Sequence, residues 1–156
     1  MSNYTNSVFD RYPRMNRDGY RQTSNPTPED GPDDQYNCIA WALGENDRVI
    51  SNAAGDYYPS TTTRLQLSRE LVEICTFYGF EKCESPALEE GYVKIALYGR
   101  NDFWKHAARQ SPSGKWLSKL GVTGADIEHE SPTCVECDAY GTVYCYMRKP
   151  LGNATV

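Results

Sequence analysis

The sequence predicts an α+β domain in which two helices near the N-terminus, one of them carrying Cys38, pack on a small antiparallel sheet of about four strands. Helical periodicity is confined to residues 37–43 and 62–78, and strand-like segments follow them along the chain. A run of helices followed by a run of strands is typical of α+β proteins. The 156 residues are enough for one domain that buries most of its unfolded surface.

Residues 1–34 have the composition of an irregular arm ahead of this domain. They are rich in Asn, Asp, Arg and Tyr, and three prolines lie between residues 26 and 32. Because proline fixes φ and biases the preceding residue away from the helical region, this stretch favours turns and extended chain. We therefore expect a single domain over residues 35–150, followed by a short tail at 151–156.

Two segments have the residues and the stop signals of helices. The first is apolar almost all round, with Asn37 placed to cap its start and Gly44 to end it. The second has Leu, Val, Cys and Phe at helical spacing, with Thr62 or Thr63 as its cap and Gly79 at its end. We expect a short buried helix and a longer amphipathic one.

Alternating and β-branched residues indicate four strands after the helices. The Ser-Pro-Ser-Gly sequence at residues 111–114 is typical of a hairpin turn and joins the second strand to the third. We expect the strands at residues 92–98, 104–110, 115–120 and 142–148.

The charge and hydropathy of the chain exclude some partners and targeting segments. The 16 Lys and Arg against 21 Asp and Glu give a net charge of −5, which offers no bulk attraction for nucleic acid or an anionic membrane. No apolar stretch reaches transmembrane length, and no basic segment followed by an apolar run marks a signal peptide. We expect a cytoplasmic protein, or one exported without a cleavable signal, with its six cysteines reduced.

Cys38 and His106 are the residues that indicate catalysis. A thiol at the N-terminus of a helix has its thiolate stabilised by free N–H groups and the helix dipole. A histidine on a later strand can serve as the base that such a nucleophile needs. Each residue is also explained as part of the core, because reduced cysteine is often buried and strand histidines often bond to backbone carbonyls.

Four sequence words resemble an uncharacterised bacterial family, a domain of unknown function. They are NCIAWALG, KIALY, HAARQSPSGKWLSKLG and DIEH, and the resemblance covers residues 35–148. A helix-borne cysteine, a strand histidine and a polar residue on the next strand also resemble compact papain-like hydrolases of the NlpC and CHAP types. This resemblance implies a papain-like fold with Cys38 as nucleophile and His106 as base. It also implies a third residue that orients the imidazole, for which Ser118 and Asp126 are the candidates.

The same resemblance implies an amide substrate, protein or peptide-like, and no cofactor. The Cys38 backbone N–H would stabilise the oxyanion, with Gln35 or Asn37 as side-chain donors, although Asn37 is also explained as the helix cap. Trp104 would line an aromatic groove for the substrate. Peptidase, amidase and protein deamidase activities all begin with thiolate attack, so the sequence does not separate them. A bacterial effector or toxin role rests on the resemblance alone.

The alternative is a non-enzymatic protein-interaction module in which Cys38 and His106 belong to the core. In this alternative a structural zinc ion is held by the pattern H-x4-C-x2-C-x7-C, whose ligand types suit tetrahedral coordination. A single Cys-x-x-Cys is weak support, because structural sites usually pair two such motifs. The four residues are His129, Cys134, Cys137 and Cys145.

Overall fold

The computed structural model describes an antiparallel sheet and two helices within residues 20–22, 38–44, 49–53, 55–59, 63–119, 126–137 and 140–151. The strands are β1 (Tyr20–Gln22), β2 (Glu81–Cys83), β3 (Tyr92–Arg100), β4 (Phe103–Gln110), β5 (Trp116–Lys119), β6 (Asp126–His129) and β7 (Thr142–Pro150). The helices are α1 (Cys38–Ala42) and α2 (Ser68–Phe77), and Pro132–Val135 forms a 3₁₀ turn. All seven strands belong to one sheet, in the order β1-β6-β5-β4-β3-β7-β2.

The α+β prediction is wrong, because the described part of the chain is mostly antiparallel sheet rather than helices on about four strands. The predicted strands are present as β3, β4, β5 and β7, whereas β1, β2 and β6 were not expected. These three have three or four residues each, too few to show a clear period-2 pattern. Of the described helices only α2 exceeds two turns, and none is long and apolar enough to cross a membrane.

Strand β1 comes from the N-terminal arm, which the composition predicts to be irregular. It pairs antiparallel with β6, with Tyr20 opposite His129 and Gln22 opposite Ile127. β1 therefore forms one edge of the sheet and β2 forms the other. Both edges are strands of only three residues.

The sheet separates two hydrophobic clusters. On one side, called the helix face, Ile95 and Leu97 pack with residues of α1 and α2. On the other side, the turn face, Ala96 packs with Trp116 and with Val135 of the 3₁₀ turn. Successive residues of a strand point to opposite sides of a sheet, which is why neighbours on β3 enter different clusters.

A β-bulge in β4 places Trp104 and His106 on opposite sides of the sheet. Tyr98 lies opposite His106. The next residue of β3, Gly99, lies opposite Trp104, so Lys105 is an extra residue on β4. Trp104 accordingly belongs to the helix face, whereas His106 packs against Tyr98 on the turn face. An uninterrupted strand would have placed Trp104 and His106 on the same side.

Two glycines allow the backbone to pack closely at this bulge. A Cβ on Gly99 would lie 2.6 Å from the carbonyl oxygen of Phe103, and one on Gly141 would lie 2.0 Å from that of Gly99. Neither distance leaves room for a side chain, and Gly141 also has a φ of +76°. The bulge that separates Trp104 from His106 therefore depends on positions without a side chain.

Helix α2 begins at Ser68, so the cap predicted at Thr62 or Thr63 is wrong. The start of the helix is bonded to the turn between β3 and β4. The Ser68 N–H donates to the Asp102 carbonyl there, at 2.7 Å. Leu67 occupies the cap position and makes no side-chain cap hydrogen bond. The carboxylate of Glu70 accepts the hydroxyl of Thr63 and the backbone N–H of Gln66, and so holds the segment ahead of the helix against its first turn.

Candidate binding cavity and the buried histidine pair

The sheet lies between Cys38 and His106, so the structure does not bring the expected nucleophile and base together. Cys38 begins α1 and packs in the cluster on the helix face. The ring of His106 lies on the turn face, stacked on Tyr140 with centroids 4.0 Å apart and planes within 7°. Cys38 is 8% exposed and His106 is fully buried. The geometry gives no support to a Cys38–His106 catalytic pair.

His106 instead joins a chain of hydrogen bonds that contains both histidines of the protein. Its Nε2 lies 3.0 Å from Oγ of Ser118, and the same Oγ lies 2.9 Å from Nε2 of His129. Nδ1 of His129 lies 2.8 Å from the carbonyl oxygen of Ser131. Ser118 is therefore beside His106, as the resemblance implied. The two residues nevertheless belong to a chain of hydrogen bonds between two histidines and not to a catalytic triad with Cys38.

The carbonyl of Ser131 fixes the direction of every proton in this chain. A carbonyl oxygen only accepts, so Nδ1 of His129 carries the proton and Nε2 of the neutral ring is the acceptor. Ser118 therefore donates its hydroxyl proton to His129 and accepts the Nε2–H of His106. Nδ1 of His106 is then an unprotonated acceptor, and it has no hydrogen-bond partner among the described residues.

Burial keeps both imidazoles neutral. It lowers the pKa of His129 from 6.5 to about 4, although the hydrogen bond to the Ser131 carbonyl acts in the opposite direction. Burial also lowers the pKa of His106 well below its usual value, and the nearby His129 adds to this effect. Ser118 and His129 have the spacing of a nucleophile and a base, but Ser118 is fully buried and out of a substrate's reach. These hydrogen-bonded side chains form a polar network inside the core.

The other residues implied for catalysis lie apart from one another or outside the described residues. Trp104 is buried on the helix face, where its Nε1 donates to the hydroxyl of Tyr58 at 3.1 Å. Asp126 is the first residue of β6, and only its backbone position is described. Gln35 and Asn37 lie outside the described residues.

The zinc ligands predicted near the C-terminus do not come together. Among the residues that the structure describes, no three His, Cys, Asp or Glu side chains lie close enough to hold a metal ion. Both ring nitrogens of His129 are already engaged, one with Ser118 and one with the carbonyl of Ser131. Cys145 packs against the cluster on the helix face and Cys137 against that on the turn face, so the sheet separates two of the four.

We expect iodoacetamide at mildly acidic pH to leave Cys38 unmodified in the folded protein. Cys38 is buried on the helix face, whereas both histidines belong to the network on the other side of the sheet, so neither can favour the thiolate, which is the reactive form. The partly exposed cysteines should react before Cys38 as the pH is raised; they are Cys83, Cys137 and Cys145. Peptide mapping by mass spectrometry, with a urea-unfolded sample as control, measures both rates. Selective modification of Cys38 would restore the nucleophile hypothesis.

A cavity of about 570 Å³ lies at the end of the sheet where β3 begins and β4 ends. It is on the helix face, because Val93 packs on that side and Leu117 lies opposite Arg109 there. Leu88 and Leu151, which are 54% and 57% exposed, also line it. Its walls are therefore mainly apolar, with Arg109 as the cation among the lining residues.

The loop between β2 and β3 forms one wall of this cavity and is tied to the sheet. Nε2 of Gln110 donates to the carbonyl of Pro86 at 2.8 Å. Nζ of Lys94 donates to the carbonyl of Ser85 at 2.8 Å and lies 3.3 Å from the carboxylate of Glu89. The wall is thus pre-formed, as is usual for ligand pockets.

Two cations neutralise the carboxylate of Glu89 in this wall. Arg148 bonds directly to it and Lys94 lies beside it, and these two cations are cross-strand partners on the turn face. The hydrogen bond from Arg148 lowers the pKa of Glu89, so this carboxylate stays ionised and engaged. Arg148 also bonds to Glu81 at 2.9 Å, which fixes the edge strand to the same network.

Arg109 is the charge of the cavity that the described residues leave uncompensated. It is partly buried and lies on the helix face, opposite Ile95 and Leu117 of the neighbouring strands. Its Nη1 comes within 3.6 Å of the place a Cβ on Gly44 would take, at the C-terminal end of α1. In the part of the chain that the structure describes, the guanidinium of Arg109 makes no hydrogen bond or ion pair, and burial lowers the pKa of Arg109.

Sequence analysis missed both Arg109 and the cavity. One feature of the sequence pointed to Arg109. It is a charged residue directly after Ala107 and Ala108 in a predicted strand, and a charge next to such apolar residues usually has a partner. The cavity itself has no sequence signature, since its lining comes from the β2–β3 loop, two strands, a hairpin and the residue after β7.

The fold and the cavity define a small, mostly antiparallel β-domain with one apolar site beside an uncompensated arginine. The chain belongs to the family described as Domain of unknown function (DUF7689), which matches residues 28–148. No curated protein and no solved structure matches the chain. The expectation of an uncharacterised domain family is confirmed, whereas no comparison supports a papain-like, NlpC or CHAP relationship.

Proposed function

We propose that this domain is a non-catalytic binding module that takes an apolar group into the cavity beside Arg109. The observation that carries the proposal is a mainly apolar cavity of about 570 Å³ whose wall is fixed by hydrogen bonds and ion pairs. Cavities of this size, with apolar linings and few polar groups, are where small ligands and anchoring side chains bind.

A second cavity, of about 770 Å³, lies over β2 and β7 and is less suited to an apolar group. Its lining exposes as much polar as apolar surface, and its charged groups would lose hydration against an apolar ligand. The cavity beside Arg109 also has charged residues, but leucine, valine and proline give it a mainly apolar lining, which favours it as the binding site.

Cysteine-dependent hydrolysis stays a prediction that the geometry does not favour. It needs a nucleophile and a base within hydrogen-bond reach, and Cys38 and His106 lie on opposite faces of the sheet. The interaction module, which was the alternative from the sequence, needs neither residue at the surface. It agrees with both residues being part of the core.

We expect neutral 1-octanol to bind in the cavity and to shift the methyl resonances of Leu117 and Leu151 saturably in an NMR titration. Leu151→Ser should weaken this binding about fivefold, because losing a partly buried leucine removes about 1 kcal/mol of apolar contact. Leu65→Ser is the matched control, since Leu65 is 58% exposed against 57% for Leu151 and does not line the cavity. Equal losses in the two variants, or no saturable shift at all, would contradict the proposal.

A further inference from the structure

The cavity beside Arg109 has an imbalance of charge that its own residues do not correct. The carboxylate of Glu89 is held by Lys94 and Arg148 on the turn face, away from the side on which Arg109 lies. Glu90 also lines the cavity but is exposed, and it makes no ion pair with Arg109. Within the described residues, the guanidinium therefore lies against apolar walls without an anion.

Arg109 is partly buried and has no anion beside it among the described residues, so a ligand that supplies one would gain charge-assisted hydrogen bonds. Its guanidinium nitrogens are not among the fully buried atoms that lack a partner, so water hydrates them until a ligand binds. The C-terminal end of α1, beside which Arg109 lies, offers only a partial negative charge and accepts no hydrogen bond from it. A ligand with a negative group would bond directly to these nitrogens.

We propose that the ligand of this cavity carries a terminal carboxylate on an apolar body, with Arg109 binding the carboxylate and the leucine and valine walls taking the apolar part. This inference rests on the proposed binding function and names its ligand class. Arg109 is a specificity residue in this reading, and the pre-formed β2–β3 loop holds the apolar wall opposite it.

A carboxylate fits this site better than a phosphate does. The planar fork of a guanidinium matches the two oxygens of a carboxylate in a bidentate pair, and a single pair satisfies one negative charge. A phosphate dianion needs further donors or cations, and the described lining offers Glu89 and Glu90 instead. The cavity volume of about 570 Å³ leaves room for an apolar body beyond the charged group.

Two kinds of ligand carry a terminal carboxylate on an apolar body. One is a small apolar acid, and the other is the C-terminus of a peptide with an apolar last residue. Octanoate probes the first kind and N-acetyl-glycyl-leucine probes the second. Their neutral counterparts, 1-octanol and N-acetyl-glycyl-leucine amide, have the same apolar parts without the charge. The tighter of the two acids identifies the kind of ligand.

The test is calorimetric titration of the whole chain at neutral pH, with NMR shifts of Leu117 and Leu151 to place the ligand. We expect at least one acid to bind about tenfold or more tightly than its neutral counterpart, as charge-assisted hydrogen bonds predict. Arg109→Gln should abolish that preference, so that each acid binds this variant no more tightly than its neutral counterpart does. Lys105→Gln is the matched control, because it removes the same charge from an exposed position on β4 outside the cavity.

Two results would overturn the inference while leaving the binding function intact. One is equal affinity for acid and neutral counterpart in both pairs, and the other is an acid preference that survives in Arg109→Gln. Failure of every probe, 1-octanol included, would instead contradict the proposed function itself. Arg109→Lys separates charge from shape, since it keeps the cation but loses the fork, and it should recover only part of the preference.

Discussion

Lowering the pH from 7 to 5 is expected to destabilise the folded protein by about 2 kcal/mol through His129 alone, since burial holds its pKa at about 4 against 6.5 in the unfolded chain. The unfolded chain binds a proton on this imidazole below pH 6.5, whereas the buried ring does not. The stability is therefore complete above pH 6.5 and is lost as the pH falls toward 4. His106 acts in the same direction.

Urea titrations at a series of pH values between 7 and 5 measure this effect. The chain has only two histidines, so no third imidazole contributes in that range. The variant His129→Gln is less stable at pH 7 because it disturbs the bonds to Ser118 and Ser131. Its free energy of unfolding should nevertheless fall less between pH 7 and 5, by about 2 kcal/mol. Equal slopes for the two proteins would show that His129 titrates normally in the folded state.

Glu70→Ala is expected to destabilise the protein by roughly 1.5–3 kcal/mol, because the buried hydroxyl of Tyr58 loses its charged acceptor, as do the hydroxyl of Thr63 and the N–H of Gln66. The carboxylate of Glu70 is fully buried and accepts the hydroxyls of Tyr58, at 2.7 Å, and of Thr63. It also accepts the backbone N–H of Gln66 at 3.1 Å, just before α2. The hydroxyl of Tyr58 in turn accepts the Nε1–H of Trp104. Removing the carboxylate of Glu70 would therefore also disturb the core on the helix face.

Thermal and urea unfolding of Glu70→Ala and Glu70→Gln measure this contribution. Glu70→Gln keeps the shape but loses the charge, and it should cost less than Glu70→Ala. Arg69→Ala is the control, since Arg69 is exposed in the same turn of α2 and should change stability by no more than about 0.5 kcal/mol. A loss in Glu70→Ala no larger than in Arg69→Ala would mean that water replaces the carboxylate without penalty.

The long elements of the fold could be predicted from the sequence because each has a characteristic composition or spacing. Strands β3, β4 and β7 have eight or nine residues each and are rich in aromatic and aliphatic side chains, and α2 has an apolar face of helical spacing. The fold class was nevertheless wrong, because β1, β2 and β6 are polar segments of three or four residues. Their structure is imposed by pairing with partners that are distant in the sequence, which no local pattern records.

The candidate site was harder to predict because the side of the sheet that a residue faces depends on strand pairing. Alternation from Ala107 places His106 on the side away from Cys38, but the sequence did not show which side of the sheet the helices cover. The extra residue Lys105 then returns Trp104 to the helix face, and the glycines that permit the bulge lie on β3 and before β7. Arg109 was overlooked because its interest comes from what surrounds it, and strand spacing alone does not reveal an absent partner.

The short edge strands of the sheet matter for any shortened version of this protein. The family match spans residues 28–148, and those limits omit β1 and the last two residues of β7. A fragment cut there would uncover the backbone of β6 along the strand that carries His129, offering a row of unsatisfied amides and carbonyls. Two such fragments would be able to pair through their exposed β6 strands. Self-association of the fragments would then be an artefact of trimming.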